Sequence, residues 1–392
     1  MKSRDLYLSM VGIDDNILAK ASRYSEKRKI IKFNKRLSFV ACICMILLAT
    51  ATAAAAIHHF WGRGMSGMLR STDAQQQELT EQGQAIVYPE LEDYSSYQVT
   101  DQGITIAPDT VVVDDRFAYV SFKVSGFEIT EHEEPGADVD YYLGDDKEST
   151  NSWVNGSSYF FDGTMIDDNG MAIYTDGSPL ESDENGFFGH YLDENGDLEY
   201  VIQIQAVDGL SEILGNTLHV DFTALGVYGG KADFSSRVDG NWSFELELPN
   251  VSSSQTITVN KDIPDTDCTL TSIDISPVSI SVTYKINGVE KQSKDAKGLS
   301  EALGGVIDGV TGENVQDDDI TGLPEVSGFV LKDGTRMPYV ADAGSDGYTD
   351  DSREYGVCTR GFDRVVDISQ IKSILFWPDD SGNCELVEVE IQ

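Results

Sequence analysis

Gly103-Ile104-Thr105-Ile106-Ala107-Pro108-Asp109-Thr110-Val111-Val112-Val113-Asp114-Asp115-Arg116-Phe117-Ala118-Tyr119-Val120-Ser121-Phe122-Lys123-Val124 is the stretch on which the fold turns. Residues 103–107 alternate polar and apolar, the period of a half-buried strand. Val111, Val112 and Val113 run apolar without a break, and Asp114-Asp115 marks a turn. Residues 117–124 then read as a second strand rich in aromatic and β-branched side chains. Further strands follow at 200–206, 217–223 and 242–248. Gly and Asp turn signals at short spacing, with little helical periodicity, predict an antiparallel β-sandwich over 99–250.

A second sandwich is expected over 251–392, after a linker at Val251-Ser252-Ser253-Ser254. Its strands are predicted at 256–259, 270–275, 278–286, 329–331, 357–359, 374–377 and 386–391, with a short helix within 298–309. Asp317, Asp318 and Asp319 read as an exposed loop rather than a metal cluster. Between Gly126 and Glu199 lies an acidic insertion carrying Asp167-Asp168-Asn169-Gly170, Asp183-Glu184-Asn185-Gly186 and Asp193-Glu194-Asn195-Gly196. Asn-Gly favours tight hairpin turns. Asp193, Asn195, Asp197 and Glu199 also have an alternation that could attract calcium, but the Gly that an EF-hand loop needs at its sixth position is missing. Hairpin turns on a solvated face are the preferred reading, and no metal ligand or cofactor is assigned.

The 392 residues carry 28 Lys+Arg and 67 Asp+Glu, a net charge of −39. Such a chain repels phosphate backbones, so no direct contact with nucleic acid is expected. Five His and five Cys rule out a disulfide-dense scaffold and make His-based chemistry sparse. Cys358 and Cys384 could pair across neighbouring strands, a question the sequence leaves open. Trp153, Trp242 and Trp377 read as core or hairpin anchors ahead of sugar platforms. There is no G-x-S-x-G elbow, no H-E-x-x-H and no phosphate loop, so an enzyme is not expected.

The charge is uneven. Residues 1–36 hold ten Lys/Arg and four acids, a net of +6, which leaves −45 for the rest. Residues 37–57 follow with no charged side chain. As a helix that run would span roughly 30 Å, the thickness of a bilayer core. Lys35 and Arg36 flank one end, and Phe60 and Trp61 the other. The Lys/Arg bias places the N-terminus in the cytoplasm and the C-terminus outside the cell membrane. A cleaved signal peptide is the competing reading, since the Ala-rich end at 51–56 offers A-x-A sites. Residues 58–98 are expected to form a juxtamembrane helix and stalk, with a capping box at Thr72 and Gln75.

Within 1–36, Asp14 and Asp15 suit a helix start, and Ile17, Leu18, Ala21, Tyr24 and Ile31 recur on one helical face. That face could dock into a cytoplasmic partner. A basic helix lying on anionic lipid is the alternative.

Tyr7-Leu8-Ser9-Met10-Val11-Gly12-Ile13-Asp14-Asp15, then a Lys/Arg-rich helix and one span, resembles membrane anti-sigma-factor-like proteins of Gram-positive bacteria. Gly64-Met65-Ser66 and Ala74-Gln75-Gln76-Gln77 look like their juxtamembrane helix. Residues 100–106, 113–115 and 119–124 look like that family's uncharacterised outside domain, and Gly240-Asn241-Trp242-Ser243-Phe244 and Ile273-Asp274-Ile275-Ser276-Pro277 like its later strands. The long acidic insertion departs from its shorter members. The resemblance implies two immunoglobulin-like antiparallel sandwiches outside the membrane, sensing an unknown extracellular ligand, and an inside helix holding an extracytoplasmic-function sigma factor. Stepwise proteolysis near and within the bilayer would release that factor. The runner-up is a membrane-anchored surface module for a cell-wall, protein or carbohydrate ligand, with the inside segment only an anchor.

Overall fold

The computed structural model describes residues 61–391 apart from 131, 183–186, 208–211, 230–232, 288–322, 351 and 379–383. The basic segment 1–36 with its face Ile17, Leu18, Ala21, Tyr24 and Ile31, the apolar run 37–57, the turn at 183–186, the helix expected within 298–309 and the acidic triplet 317–319 all lie outside those residues. Among the described residues no helix is long and apolar enough to cross a membrane.

Two short helices come first, α1 (Arg63–Met68) and α2 (Asp73–Glu81). The predicted capping box starts α2. Gln75 N–H donates to Thr72 Oγ1 at 3.3 Å, and Thr72 N–H donates to Gln75 Oε1 at 2.9 Å. These pairs satisfy two helix N–H groups that would otherwise lack partners.

The remainder is mainly β, and every strand pairing described is antiparallel. In chain order the first strands are β1 (Ala85–Val87), β2 (Val99–Asp101), β3 (Ile104–Val113), β4 (Phe117–Ser125), β5 (Glu134–Leu143), β6 (Val154–Phe160), β7 (Thr164–Ile166), β8 (Ala172–Tyr174), β9 (Leu198–Ala206), β10 (Thr217–Tyr228) and β11 (Phe234–Glu247). One sheet runs β1-β3-β4-β9-β6, with β2 paired to β3, and a second runs β11-β10-β5. Their inner faces share one core, in which the Phe122 ring lies 5.3 Å from Phe222 and 5.1 Å from Phe244. Alternation along β10 explains this: Leu218, Val220 and Phe222 are fully buried while the residues between them are only partly covered.

The later strands are β12 (Gln255–Asp262), β13 (Cys268–Ile275), β14 (Ser279–Ile286), β15 (Glu325–Leu331), β16 (Arg336–Met337), β17 (Ala341–Tyr348), β18 (Tyr355–Phe362), β19 (Ile371–Trp377) and β20 (Val387–Glu390). They form sheets β12-β13-β14-β18-β17 and β16-β15-β19-β20 around a second core, where Phe329 meets Phe362 edge-on at 5.4 Å. Both halves belong to one compact unit. A third apolar cluster joins them, drawing Met65 and Leu69 from the α1 region, Phe117 and Tyr119 from β4, and Val278 and Val365 from the second half.

Three expectations need correction, and one question left open by the sequence is answered. The segment 58–98 is not a stalk where it is described: β1 is an edge strand on β3, and α1 is buried under the sheet through Met65 and Met68. The stretch 126–199 is not one insertion, because β5 and β6 are strands of the two main sheets, and the excursion between β6 and β9 carries only the short hairpin β7-β8 outside them. Glu134, Asp138 and Asp140 of β5 are exposed while Ala137, Val139, Tyr141 and Leu143 pack on the core. Trp153 is no core anchor: it sits at the start of β6, the outer strand of its sheet, and is 49% exposed. Cys358 does not pair with Cys384; it is a fully buried free thiol facing the second core.

Candidate functional site

The excursion between β6 and β9 is a small platform held by its own turns. β7 and β8 form a hairpin closed at Asp167-Asp168-Asn169-Gly170, where Asp167 Oδ1 accepts from Asn169 N–H and Met171 N–H, each at 2.8 Å. The acidic turn at Asp193-Glu194-Asn195-Gly196 is closed the same way, with Asp193 Oδ1 accepting from Asn195 N–H at 2.8 Å and Asp197 N–H at 2.9 Å. The Lys123 ammonium bridges the Asp193 and Asp197 carboxylates at 3.3 and 2.9 Å. These two turns are thus engaged by backbone N–H groups, by Lys123 at the later one and by Arg70 and Arg364 on Asp168 at the earlier one, and among the described residues no group of three His, Cys, Asp or Glu is placed to hold a metal ion.

Between this platform and the segment joining β4 to β5 opens a cleft of about 700 Å³. Its walls are Ile129, Thr130 and His132 from that segment, Tyr174 at the end of β8, the turn Ser178–Ser182, and the strip Phe187-Phe188-Gly189-His190-Tyr191-Leu192. The size falls within the roughly 300–1,000 Å³ usual for ligand pockets.

Ring contacts and backbone bonds set the shape. The Tyr174 ring stacks on His190 at 4.2 Å with 6° between planes, and its hydroxyl meets the Glu181 and Phe188 carbonyls at 3.0 and 2.9 Å. His190 N–H donates to the Asp162 carbonyl at 2.7 Å. Phe187 lies 6.1 Å from Tyr191 and meets His132 edge-on at 6.3 Å. Both imidazoles therefore serve as aromatic panels. Phe188 and Leu192 are 45% and 40% exposed, an uncommon state for large apolar side chains so close together. Burial, with the Glu134 and Asp162 carboxylates nearby, pushes the Tyr191 phenol well above its ordinary range, so it stays a neutral donor.

One cation ties the strip to α1. Arg63 Nη1 donates to the His190 carbonyl at 2.8 Å and Nη2 to the Tyr191 carbonyl at 2.6 Å, while the guanidinium lies 5.4 Å from the Phe161 ring centroid. The first N–H groups of α1 and the residue before it are received by carboxylates: Gly62 N–H donates to Asp109 Oδ2 at 3.1 Å, and Arg63 and Gly64 N–H donate to the two oxygens of Glu199. Burial pushes the Glu199 carboxyl up, with Asp109 adding to the shift and the α1 N–H groups and Arg63 opposing it.

The partner-binding face Ile17, Leu18, Ala21, Tyr24 and Ile31 is on the undescribed segment, so none of it meets this cleft among the described residues. Sequence reasoning passed over Tyr174, Phe188, His190, Tyr191 and Arg63. Their one signal is a run of aromatics at 187–191, with neither strand nor helix period, inside a stretch otherwise acidic.

No protein-family model matches the chain, and the search of curated proteins returned no match. Among solved structures, the crystal structure of a conserved domain protein from Bacillus anthracis is similar over 73% of this chain and 78% of its own, at 11% identity and a TM-score of 0.37. A likeness of that order carries no inference about function.

Proposed function

We propose that the chain is a single-pass regulator of the cell membrane, with residues 1–36 inside, 37–57 as the span and the β-rich part outside. In this reading the face Ile17, Leu18, Ala21, Tyr24 and Ile31 holds an extracytoplasmic-function sigma factor, as in the anti-sigma-factor-like proteins the sequence resembles. The outside part is a non-catalytic sensor of two immunoglobulin-like sandwiches that binds a ligand in the aromatic cleft.

The observation that favours a regulator over an anchored surface module is the Arg63 link. Arg63 follows the end of the apolar run by six residues, and its guanidinium is bonded to two carbonyls of the strip that lines the cleft. A module that only displays a ligand site needs no bond from that site to its membrane-proximal segment. A regulator needs a physical element that both sites bias, and this strip supplies one.

Affinity capture of the full chain in detergent from its native host tests the reading. An RNA polymerase sigma subunit should be recovered with the unmodified chain. It should be lost with the double change Ile17→Asp and Leu18→Asp, because burying each aliphatic side chain is worth about 1.5–3 kcal/mol. Lys27→Glu with Arg28→Glu should leave capture nearly intact, since exposed charge pairs contribute under about 1 kcal/mol each. Recovery of no sigma subunit by the unmodified chain rejects the regulator and leaves the surface module.

A further inference from the structure

The cleft has a chemical bias that narrows its ligand. Its polar wall carries the Glu181 carboxylate and no Lys or Arg, and the rings of Phe188, His190 and Tyr191 line it, His190 backed by the buried Tyr174 ring. Aromatic faces attract cations through their negative quadrupole, more strongly where water is partly excluded. The charge around them extends the bias. Residues 126–199 hold 20 Asp or Glu and one Lys, Lys147, and that ammonium is already paired with Asp140. Arg63 lies behind the strip with its donors on carbonyls, Lys123 is bound between two carboxylates and Arg237 is paired with Glu133, so these cations offset part of the acidic excess without reversing it. The exposed Phe188 and Leu192 add apolar surface that a small hydrated ion would leave wet.

Aromatic rings, exposed apolar side chains and a negative field wider than the cleft fit a ligand that is both greasy and multiply positive. On these grounds we infer that the cleft binds a cationic amphipathic peptide, its apolar residues against Phe188 and Tyr191 and its Lys or Arg residues toward Glu181 and the acidic surface beyond. This rests on the sensor reading above and names the class of ligand that sensor takes. A single small cation would use the rings but not the wide field, an anionic sugar would meet that field as a cost, and a neutral one would gain nothing from it.

Fluorescence anisotropy with the full chain in zwitterionic detergent tests the inference, using three dansyl-labelled peptides of one length. One alternates Leu with Lys, the second replaces each Lys by Gln, and the third replaces each Lys by Glu. The Lys peptide should bind at least tenfold more tightly than the Gln peptide, and the Glu peptide should not bind. Raising the salt from low to about 0.5 M should erase most of that preference, because screening shortens the reach of the acidic field. Phe188→Ala should weaken the Lys peptide at least tenfold. Glu134→Gln with Glu181→Gln should narrow the preference for Lys over Gln without abolishing it; these side chains and Phe188 are solvent-exposed, so an unchanged melting curve is the control for folding. Equal binding of the Lys and Gln peptides overturns the cationic assignment while leaving a ligand cleft. Binding that Phe188→Ala does not alter overturns the site, since it would mark attraction to the acidic surface at large. No binding of any peptide overturns the inference outright, whereas failure of the regulator reading would show separately, in the sigma-subunit capture.

Discussion

Gly67 has almost no freedom to become anything else. A Cβ built there would lie 2.1 Å from Phe161 Cζ, and one at Gly64 would lie 2.8 Å from Glu199 Oε2. Both glycines let α1 approach the sheet closely enough for Glu199 to receive its N–H groups. Gly67→Ala should therefore lower stability by about 1–3 kcal/mol, the usual cost of forcing atoms into a packed site, read as a fall in the denaturation midpoint. Unchanged stability would mean that Phe161 swings away freely. Glu199 gives a prediction in pH. Its carboxyl lies above the ordinary value of 4.5 in the folded chain, so between that value and the folded one the native state holds more protons than the unfolded state. The contribution of this group is fully present below pH 4.5 and is lost as the pH rises through the folded value. Gln at this position stands for the protonated acid at every pH. The melting temperature of Glu199→Gln minus that of the unmodified chain should then rise from about pH 4 to about pH 8. A difference that falls over this range would reverse the sign of the shift.

At the scale of elements, the strands legible in the sequence are those whose burial is lopsided. β4 reads directly because its apolar residues are buried almost without interruption, and β10 reads because it alternates. β5 is hidden by its acids: Asp138 and Asp140 face outward, and their charge masks a regular period-2 pattern of Ala137, Val139, Tyr141 and Leu143. β1 has three residues, too few for any period, and is defined by pairing with β3 alone. The cleft is illegible for a related reason. Its strip has no regular structure and is held by bonds to distant residues, among them Arg63, 127 positions away from His190. No local pattern encodes such a contact. The Arg63 bonds nevertheless predict how the element behaves. Arg63→Ala should raise amide hydrogen exchange within 187–192 and α1 while leaving exchange in β4 and β9 unchanged, because local opening draws on local contacts. Arg63→Lys should not rescue it, since one ammonium cannot reproduce the two-pronged donation to adjacent carbonyls. Full protection in Arg63→Lys would reduce the contact to simple charge.

For the whole molecule the open question is whether two cores make one folding unit. Ser-rich composition predicts a boundary near 251, and such stretches usually mark independent domains. Here Asp115 accepts hydroxyl bonds from Ser252 and Ser254, so the connection is itself pinned to the first half. The seam beyond it is polar as well as apolar. The Asp114 carboxylate is fully buried and accepts from Arg116 N–H, Phe117 N–H and the hydroxyls of Ser276 and Ser279 in the second half. Tyr119, equally buried, donates to the Val278 carbonyl at 2.9 Å and accepts from Phe362 N–H at 3.1 Å. Buried bonds of this kind contribute about 1 kcal/mol each when intact, but removing one partner costs about 1–3 kcal/mol because the other is left unsatisfied. The two halves should therefore melt together, giving one calorimetric transition whose van't Hoff and calorimetric enthalpies agree. Asp114→Ala with Tyr119→Phe removes the seam's two fully buried polar anchors while leaving each core's apolar residues, and outer ties such as Arg116 to Asp274, in place. That variant should lower the melting temperature and split the single transition into two. Two transitions in the unmodified chain would show that the seam is too weak to couple the halves, and the Arg63 link would then report only on the first of them.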